Sequence, residues 1–243
     1  MSRRMLLDAG NSSVKWALVE GRTWLAQGRA DYDDLAGLQA RLADVGACFI
    51  ACVAGAGARE RLAQMSSAAG YATRWLASEA RRGDLVNGYE TPERLGVDRW
   101  MALIAARRRT RGPVLVVSAG TALTVDALVA SGTFLGGLIV PGVTLMRTAL
   151  AQGTAGVAPG VGCCEAFPRN TDDAVHSGVI AALCGAIRTQ YAHLATLAGE
   201  PPHCLLTGGD AALLHPHLQL DAERVAELVL EGIDEVASTE LGG

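Results

Sequence analysis

Apolar positions at the start of the chain fall in two runs separated by a polar turn. Met5 to Leu7 and Val14 to Val19 flank Asp8-Ala9-Gly10-Asn11-Ser12-Ser13, and Lys15 lies just past the turn. Apolar runs around a Gly/Asn/Ser cluster predict a β-hairpin over Met5 to Glu20. Arg22 to Ala30 extends it as a third strand. Asp33 and Asp34 lead into Leu35, Leu38, Leu42 and Val45, the spacing of an amphipathic helix with acidic residues at its start. Cys48 to Ala54 reads as a buried strand, Arg59 to Ala69 as a helix and Tyr71 to Ala77 as another strand. Strands first and βαβ afterwards indicate a mixed sheet covered by helices.

Leu85 to Glu93 contains Asn87-Gly88 and Pro92 and is predicted to be loop, followed by a helix from Leu95 to Arg109 that Gly112-Pro113 ends. Val114 to Val129 then repeats the opening theme around Ser118-Ala119-Gly120-Thr121. This turn aligns with Asp8-Ala9-Gly10-Asn11 and suggests a duplicated lobe, with two phosphate-facing turns opposed across a cleft. Thr133 to Val140 is a strand, Val143 to Ala151 a helix, and Gly153 to Arg169 a long Gly/Pro-rich loop of the kind that forms lids. Asn170-Thr171-Asp172-Asp173 caps an apolar helix reaching Ala198, whose apolar face suits a subunit interface or the core equally. His203 to Leu206 runs into Thr207-Gly208-Gly209-Asp210, a strand, glycine turn and helix start suited to nucleotide contact. The acidic, amphipathic tail from Asp221 to Val236 is expected to pack as a helix or a closing element.

Composition changes the picture mainly by exclusion. Half of the 243 residues are hydrophobic but few are aromatic, so Ala, Leu and Val must build the core, as in many α/β enzymes. A net charge of −4 with no long basic run excludes a nucleic-acid track. Arg107-Arg108-Arg109 falls at a helix end, where cations suit the dipole. Asp8 interrupts the first apolar run too early for a secretory signal, and no run reaches the ~18 residues of a membrane helix. None of the six cysteines forms a CxxC pair, so no zinc is expected and the thiols read as small buried hydrophobes in a reducing compartment. Cys163 and Cys164, in the long loop, are the expected exposed pair. The expectation is a soluble, cytoplasmic protein with no membrane partner.

The opening turn carries the candidate chemistry. Gly10 lets a ligand approach the backbone, and successive turn amides can form an anion nest. Ser12 and Ser13 add hydroxyl donors, Lys15 a point charge suited to phosphate, and Asp8 a carboxylate for a metal ion or its water shell. Taken alone, an ordinary hairpin with a solvated turn fits the same residues.

Three glycine turns on strand ends, Asp8-x-Gly10-Asn11, Ala119-Gly120-Thr121 and Thr207-Gly208-Gly209-Asp210, resemble those of the acetate-kinase, sugar-kinase, Hsp70 and actin superfamily. In order and spacing, Thr91 to Arg99, the Gly136-Gly137-x-Ile139-x-Pro141-Gly142 run and Asn170-Thr171 resemble type III pantothenate kinase over essentially the whole chain. The resemblance implies two RNase-H-like α/β lobes, 1–112 and 113–243, with ATP in the cleft between them. It implies an enzyme that phosphorylates pantothenate with ATP at the first step of coenzyme A synthesis, working as a homodimer. By that resemblance Asp8, Ala9, Gly10, Asn11, Ser12, Ser13, Val14 and Lys15 bind the ATP phosphates, with magnesium at Asp8, and Thr121 is a second ATP contact. Tyr89, Gly96, Val97, Asp98 and Arg99 are assigned to pantothenate, Asp98 as catalytic base, and Thr171 contacts the substrate of the partner subunit.

The residue types suit phosphoryl transfer, which needs positioning and charge neutralisation more than covalent help. Arg99 suits a carboxylate with its bidentate fork. Without the other motifs, Asp98 and Arg99 would read as a helix-start carboxylate with a surface ion pair. One position departs from the family: Ser118 stands where members have an Asp that binds potassium or ammonium. A hydroxyl supplies no charge, so a weaker or missing cation site is expected. Two alternatives accompany the kinase reading: a related kinase for another hydroxylated substrate, and a nucleotide-binding accessory protein of transcription that has lost catalysis.

Overall fold

A computed structural model describes residues 3–41, 45–68, 70, 72–154, 156, 160 and 162–241. The chain begins with β1 (Arg3–Ala9), β2 (Val14–Glu20), β3 (Thr23–Ala30), α1 (Leu35–Arg41), β4 (Val45–Cys52), α2 (Ala56–Ala68), β5 (Ala72–Trp75), β6 (Arg81–Arg82), β7 (Leu85–Asn87) and α3 (Val97–Arg109). It continues with β8 (Val114–Ala119), β9 (Ala122–Leu128), β10 (Thr133–Pro141), α4 (Val143–Gly153), α5 (Thr171–Ala198), β11 (His203–Thr207), α6 (Ala211–Leu214), β12 (Ala222–Arg224) and α7 (Leu228–Leu241). These form two compact units: Met1–Arg109 with Glu227–Gly243, and Thr110–Ala226.

In the first unit the strand order is β3-β2-β1-β4-β5, with β1 antiparallel to β2 and parallel to β4. Side chains alternate between faces along a strand. Met5, Leu7 and Ala9 therefore point to one side, where they pack with Leu35, Leu38, Leu62 and Met65 of α1 and α2. Arg4, Leu6 and Asp8 point to the other side, which α3 and α7 cover. Arg4 is buried there and donates to Asp234 Oδ1 through Nη2 at 2.5 Å and Nε at 3.1 Å. A buried guanidinium that sets two donors on one carboxylate oxygen fixes the register of α7 on the sheet.

The strands of the second unit run β12-β11-β8-β9-β10. Its core sets Leu115, Val117, Leu123 and Val125 against Val179, Ile180, Leu183 and Ile187 of α5. The Asn170 side chain caps α5 by accepting from the Asp173 N–H, and Gly199 ends the helix at a positive φ.

Several expected boundaries move. Val45, expected to close a helix, opens β4, because pairing with β1 decides its state. The expected loop Leu85 to Glu93 contains β7, which pairs with β6 in a short antiparallel ladder. The tail from Asp221, expected as a helix or closing element, is both strand and helix: β12 joins β11 in parallel through Cys204, Leu205 and Leu206, and α7 starts at Leu228. Leu42, Ala69 and Tyr71 lie outside the described residues.

Contact between α3 and α7 depends on Gly232. A Cβ there would fall on the Met101 carbonyl oxygen, which is backbone and cannot rotate away. Gly232→Ala should cost about 2 kcal/mol or more, seen as a fall in melting temperature of roughly 4–8 °C. An unchanged melting temperature would show that the helices separate without cost.

Candidate active site

The pleat of the first sheet brings charged residues into one row. Asp8 on β1 lies opposite Lys15 on β2, which lies opposite Arg29 on β3. Directly opposed residues share a face, so all three belong to the side covered by α3 and α7. Glu227, the residue before α7, places its Oε2 2.9 Å from Lys15 Nζ. That oxygen is buried and the contact lies outside hydrogen-bond geometry, so the pair is held by charge alone.

Burial pushes the Asp8 carboxyl up to about 7, although part of the residue still meets solvent. Lys15 opposes this shift, Asp98 and Glu227 add to it, and Arg29 weakly opposes it. The folded protein therefore holds the Asp8 proton more tightly than the unfolded chain. The stability this contributes is complete below about pH 4 and is lost as pH rises through about 7. An ionised Asp8 is thus an anion short of positive partners, the condition a bound divalent cation relieves. Among the described residues no group of three or more His, Cys, Asp or Glu could hold a metal.

The turn after Asp8 is tied down from three directions. Val53 N–H donates to the Ala9 carbonyl at 3.0 Å, and Gly10 N–H to the Ser13 carbonyl at 3.2 Å. The Tyr32 hydroxyl donates to the Gly10 carbonyl at 2.6 Å. Val14 and Ser13 are buried, whereas Asn11 and Ser12 are exposed at the tip.

Asp98 sits in the first turn of α3, where the positive end of the helix favours a carboxylate. Its Oδ1 accepts from Arg99 N–H at 2.8 Å. The same oxygen lies against Gly96, where any Cβ would approach it to 2.6 Å, so the glycine makes room for the carboxylate. Burial raises the Asp98 pKa, and the bond from Arg99 N–H followed by the Arg99 charge opposes that rise. Arg99 is buried, donates through Nη1 to the Tyr89 hydroxyl at 2.8 Å, and lies 5.6 Å from the Tyr89 ring centre. The bland alternative for this pair, a surface ion pair, does not describe a buried guanidinium packed on an aromatic ring. Gly96, Val97, Asp98, Arg99 and Tyr89 are thus brought together, and Asp98 is close enough for its charge to reach Asp8.

The remaining predicted site residues belong to the second unit. Ser118, the last residue but one of β8, lies opposite Thr124 on β9 and Thr207 on β11, so its directly paired neighbours are hydroxyls without charge. Asp126 pairs with Val116, on the same face one pair further along, and is buried. Thr121 lies in the turn, where its carbonyl accepts from Gly142 N–H at 3.0 Å. Gly208 (φ 100°) packs on the Ala119 backbone and Gly142 on that of Gly120, so two glycines let other segments close onto this turn. Thr171 is exposed at the start of α5 and lines an open, largely apolar cleft of about 960 Å³ with Pro141, Met146, Leu150 and Val175.

Sequence reasoning missed Glu227, Arg29 and Tyr32. Arg29 was recoverable from the hairpin register, which sets it two strands from Asp8. Glu227 was not, because only the packing of α7 on the first sheet brings it to Lys15.

With this geometry in view, the comparisons with known proteins are informative. The family model for type III pantothenate kinase matches residues 4–193. The type III pantothenate kinase of Thiobacillus denitrificans is 59% identical over 234 residues, 96% of each chain. That of Chromobacterium violaceum is 45% identical, covering 97% of this chain and 100% of its own. Among solved structures, a Baf family protein from Campylobacter jejuni superposes with a TM-score of 0.62 at 20% identity, over 98% of this chain and 100% of that one. Component A of the (R)-2-hydroxyglutaryl-CoA dehydratase of Acidaminococcus fermentans gives 0.54 at 12% identity, over the whole of both chains. The structural likenesses show the fold alone; on the sequence matches, the chain belongs to the type III pantothenate kinase family.

Proposed function

We propose that this kinase transfers the γ-phosphoryl group of ATP to pantothenate, with Asp98 as general base and the Asp8 to Lys15 turn as phosphate cradle. The observation that carries the reading is the meeting of Asp8, Lys15 and Asp98 on one covered face of one sheet. Lys15 and the amides around Asn11 and Ser12 neutralise and orient the phosphates. Asp8 would hold magnesium, which when bound supplies charge neutralisation on the phosphate oxygens. Asp98, its proton affinity raised by burial, accepts the proton of the substrate's primary hydroxyl as that oxygen attacks. Arg99 and the Tyr89 hydroxyl together present donors for the pantothenate carboxylate.

In the second unit Thr121 is proposed to contact ATP, and Thr171 the substrate of a second copy in a homodimer. Support for the dimer comes from exposed Ile139, Leu145 and Leu150 on β10 and α4, an apolar surface of the kind that subunit contacts cover. All six cysteines are free, which suits the reducing cytoplasm. The consistently kinase-named relatives favour an enzyme over an accessory protein.

Asp98→Asn should lower kcat for pantothenate-dependent ADP release by at least ~100-fold while leaving the melting temperature near that of the parent. An unchanged rate would remove Asp98 from the role of base, and no turnover by the parent protein in magnesium-ATP with potassium or ammonium would sink the kinase reading. With a neutral serine at this position and threonines paired directly opposite it, potassium should stimulate weakly and need high concentration. A rate that climbs steeply and saturates at low millimolar potassium would contradict this.

A further inference from the structure

Tyr32 has no part in the chemistry described above, yet its hydroxyl reaches the phosphate cradle. It stands at the start of a short 3-10 turn, Tyr32–Asp34, with its ring packed against the core of the first unit. That turn is held from outside by Arg61 on α2, which donates to the Tyr32 carbonyl at 3.4 Å and to Asp33 Oδ1 at 2.6 Å. A carbonyl can only accept, so in the 2.6 Å contact the phenol donates and the Gly10 oxygen receives.

The consequence follows from peptide geometry. In a trans peptide the C=O of one residue and the N–H of the next point in opposite directions. Fixing the Gly10 carbonyl towards Tyr32 therefore fixes the Asn11 N–H away from Tyr32, at the exposed tip of the turn. Backbone N–H groups already hold the Ala9 and Ser13 carbonyls, whereas the Gly10 carbonyl is held by this side chain. Glycine makes the hold necessary, because the Gly10–Asn11 peptide can otherwise rotate with little steric resistance.

We propose that Tyr32 is a positioning residue for the nucleotide phosphates, acting through the Gly10 carbonyl to aim the Asn11 N–H at the incoming anion. The inference rests on the reading that the Asp8 to Lys15 turn binds phosphate. Burial, with smaller contributions from Cys52 and Asp8, pushes the phenol up to about 12, so it stays a donor throughout the working pH range. Preorganisation of this kind improves binding by removing the cost of ordering the turn when ligand arrives.

Tyr32→Phe keeps the ring and removes only the donor. Its affinities for ATP, ADP and adenosine, measured by calorimetry beside those of Lys15→Ala, separate the possibilities. Dissociation constants for ATP and ADP should rise about three- to tenfold, the range expected for one lost hydrogen bond. The adenosine constant and the KM for pantothenate should not move, which a merely structural loosening would not reproduce. Equal weakening for adenosine would overturn the inference. So would unchanged ATP affinity in Tyr32→Phe when Lys15→Ala weakens it. Unchanged ATP affinity in both variants would instead overturn the phosphate-turn reading itself, and this inference with it.

Discussion

Everything in the first unit turns on a carboxylate buried beside a lysine. Asp8 falls on the inner face of β1 because Leu7 and Ala9 must fill the opposite core, and Lys15 faces it because the hairpin register allows no other partner. Shifting the register by one residue would move Asp8 into the α1 and α2 core and turn Met5, Leu7 and Ala9 to the face that α3 and α7 cover. The same pleat that buries the hydrophobic residues therefore places the charge. The placement is costly: burial is the largest cause that lifts the Asp8 carboxyl to about 7, with Asp98 and Glu227 adding to it against the pull of Lys15. A fold selected only for stability would not bring two further carboxylates, Asp98 and Glu227, to bear on a buried Asp8.

That tension gives the chemistry its direction. An ionised Asp8 gains most from a ligand that brings positive charge, and Lys15, held by Glu227 without hydrogen-bond geometry, can turn to a phosphate at modest cost. Asp98 receives opposing influences, burial raising its proton affinity and the Arg99 N–H and charge restraining it. Its distance in sequence from Asp8 is bridged by α3, whose first turn carries Asp98 and whose buried length anchors it to the sheet. The second unit is built on the same strand-turn-strand theme, but near the end of β8 it carries Ser118 where the first unit has Asp8 near the end of β1, and the paired neighbours Thr124 and Thr207 add no charge.

Much of this was legible before any coordinates. The hairpin, the helix opening at Val97 and the long helix capped by Asn170 follow from apolar spacing and from capping residues, which are local signals. The ordered motifs around Gly96 to Arg99 and Asn170-Thr171 carried the family resemblance. What was not legible depends on tertiary pairing. Val45 joins a strand because β1 lies beside it, and Ala222 to Arg224 become strand because β11 offers an open edge. Glu227 reaches Lys15 only because α7 packs with the first unit although its sequence follows the second. The Tyr32 contact with Gly10 joins a loop to a turn, and neither segment announces the other.

The most direct measurement is titration of the Asp8 carboxyl by carbon NMR in protein labelled at aspartate, with Asp8→Asn assigning the resonance. In the nucleotide-free protein the carboxyl should titrate near pH 7. With saturating magnesium and ATP it should fall well below that, because the bound cation favours the ionised form. Titration at the ordinary aspartate position near 4, unmoved by nucleotide, would contradict the account that places this carboxylate at the centre of the site.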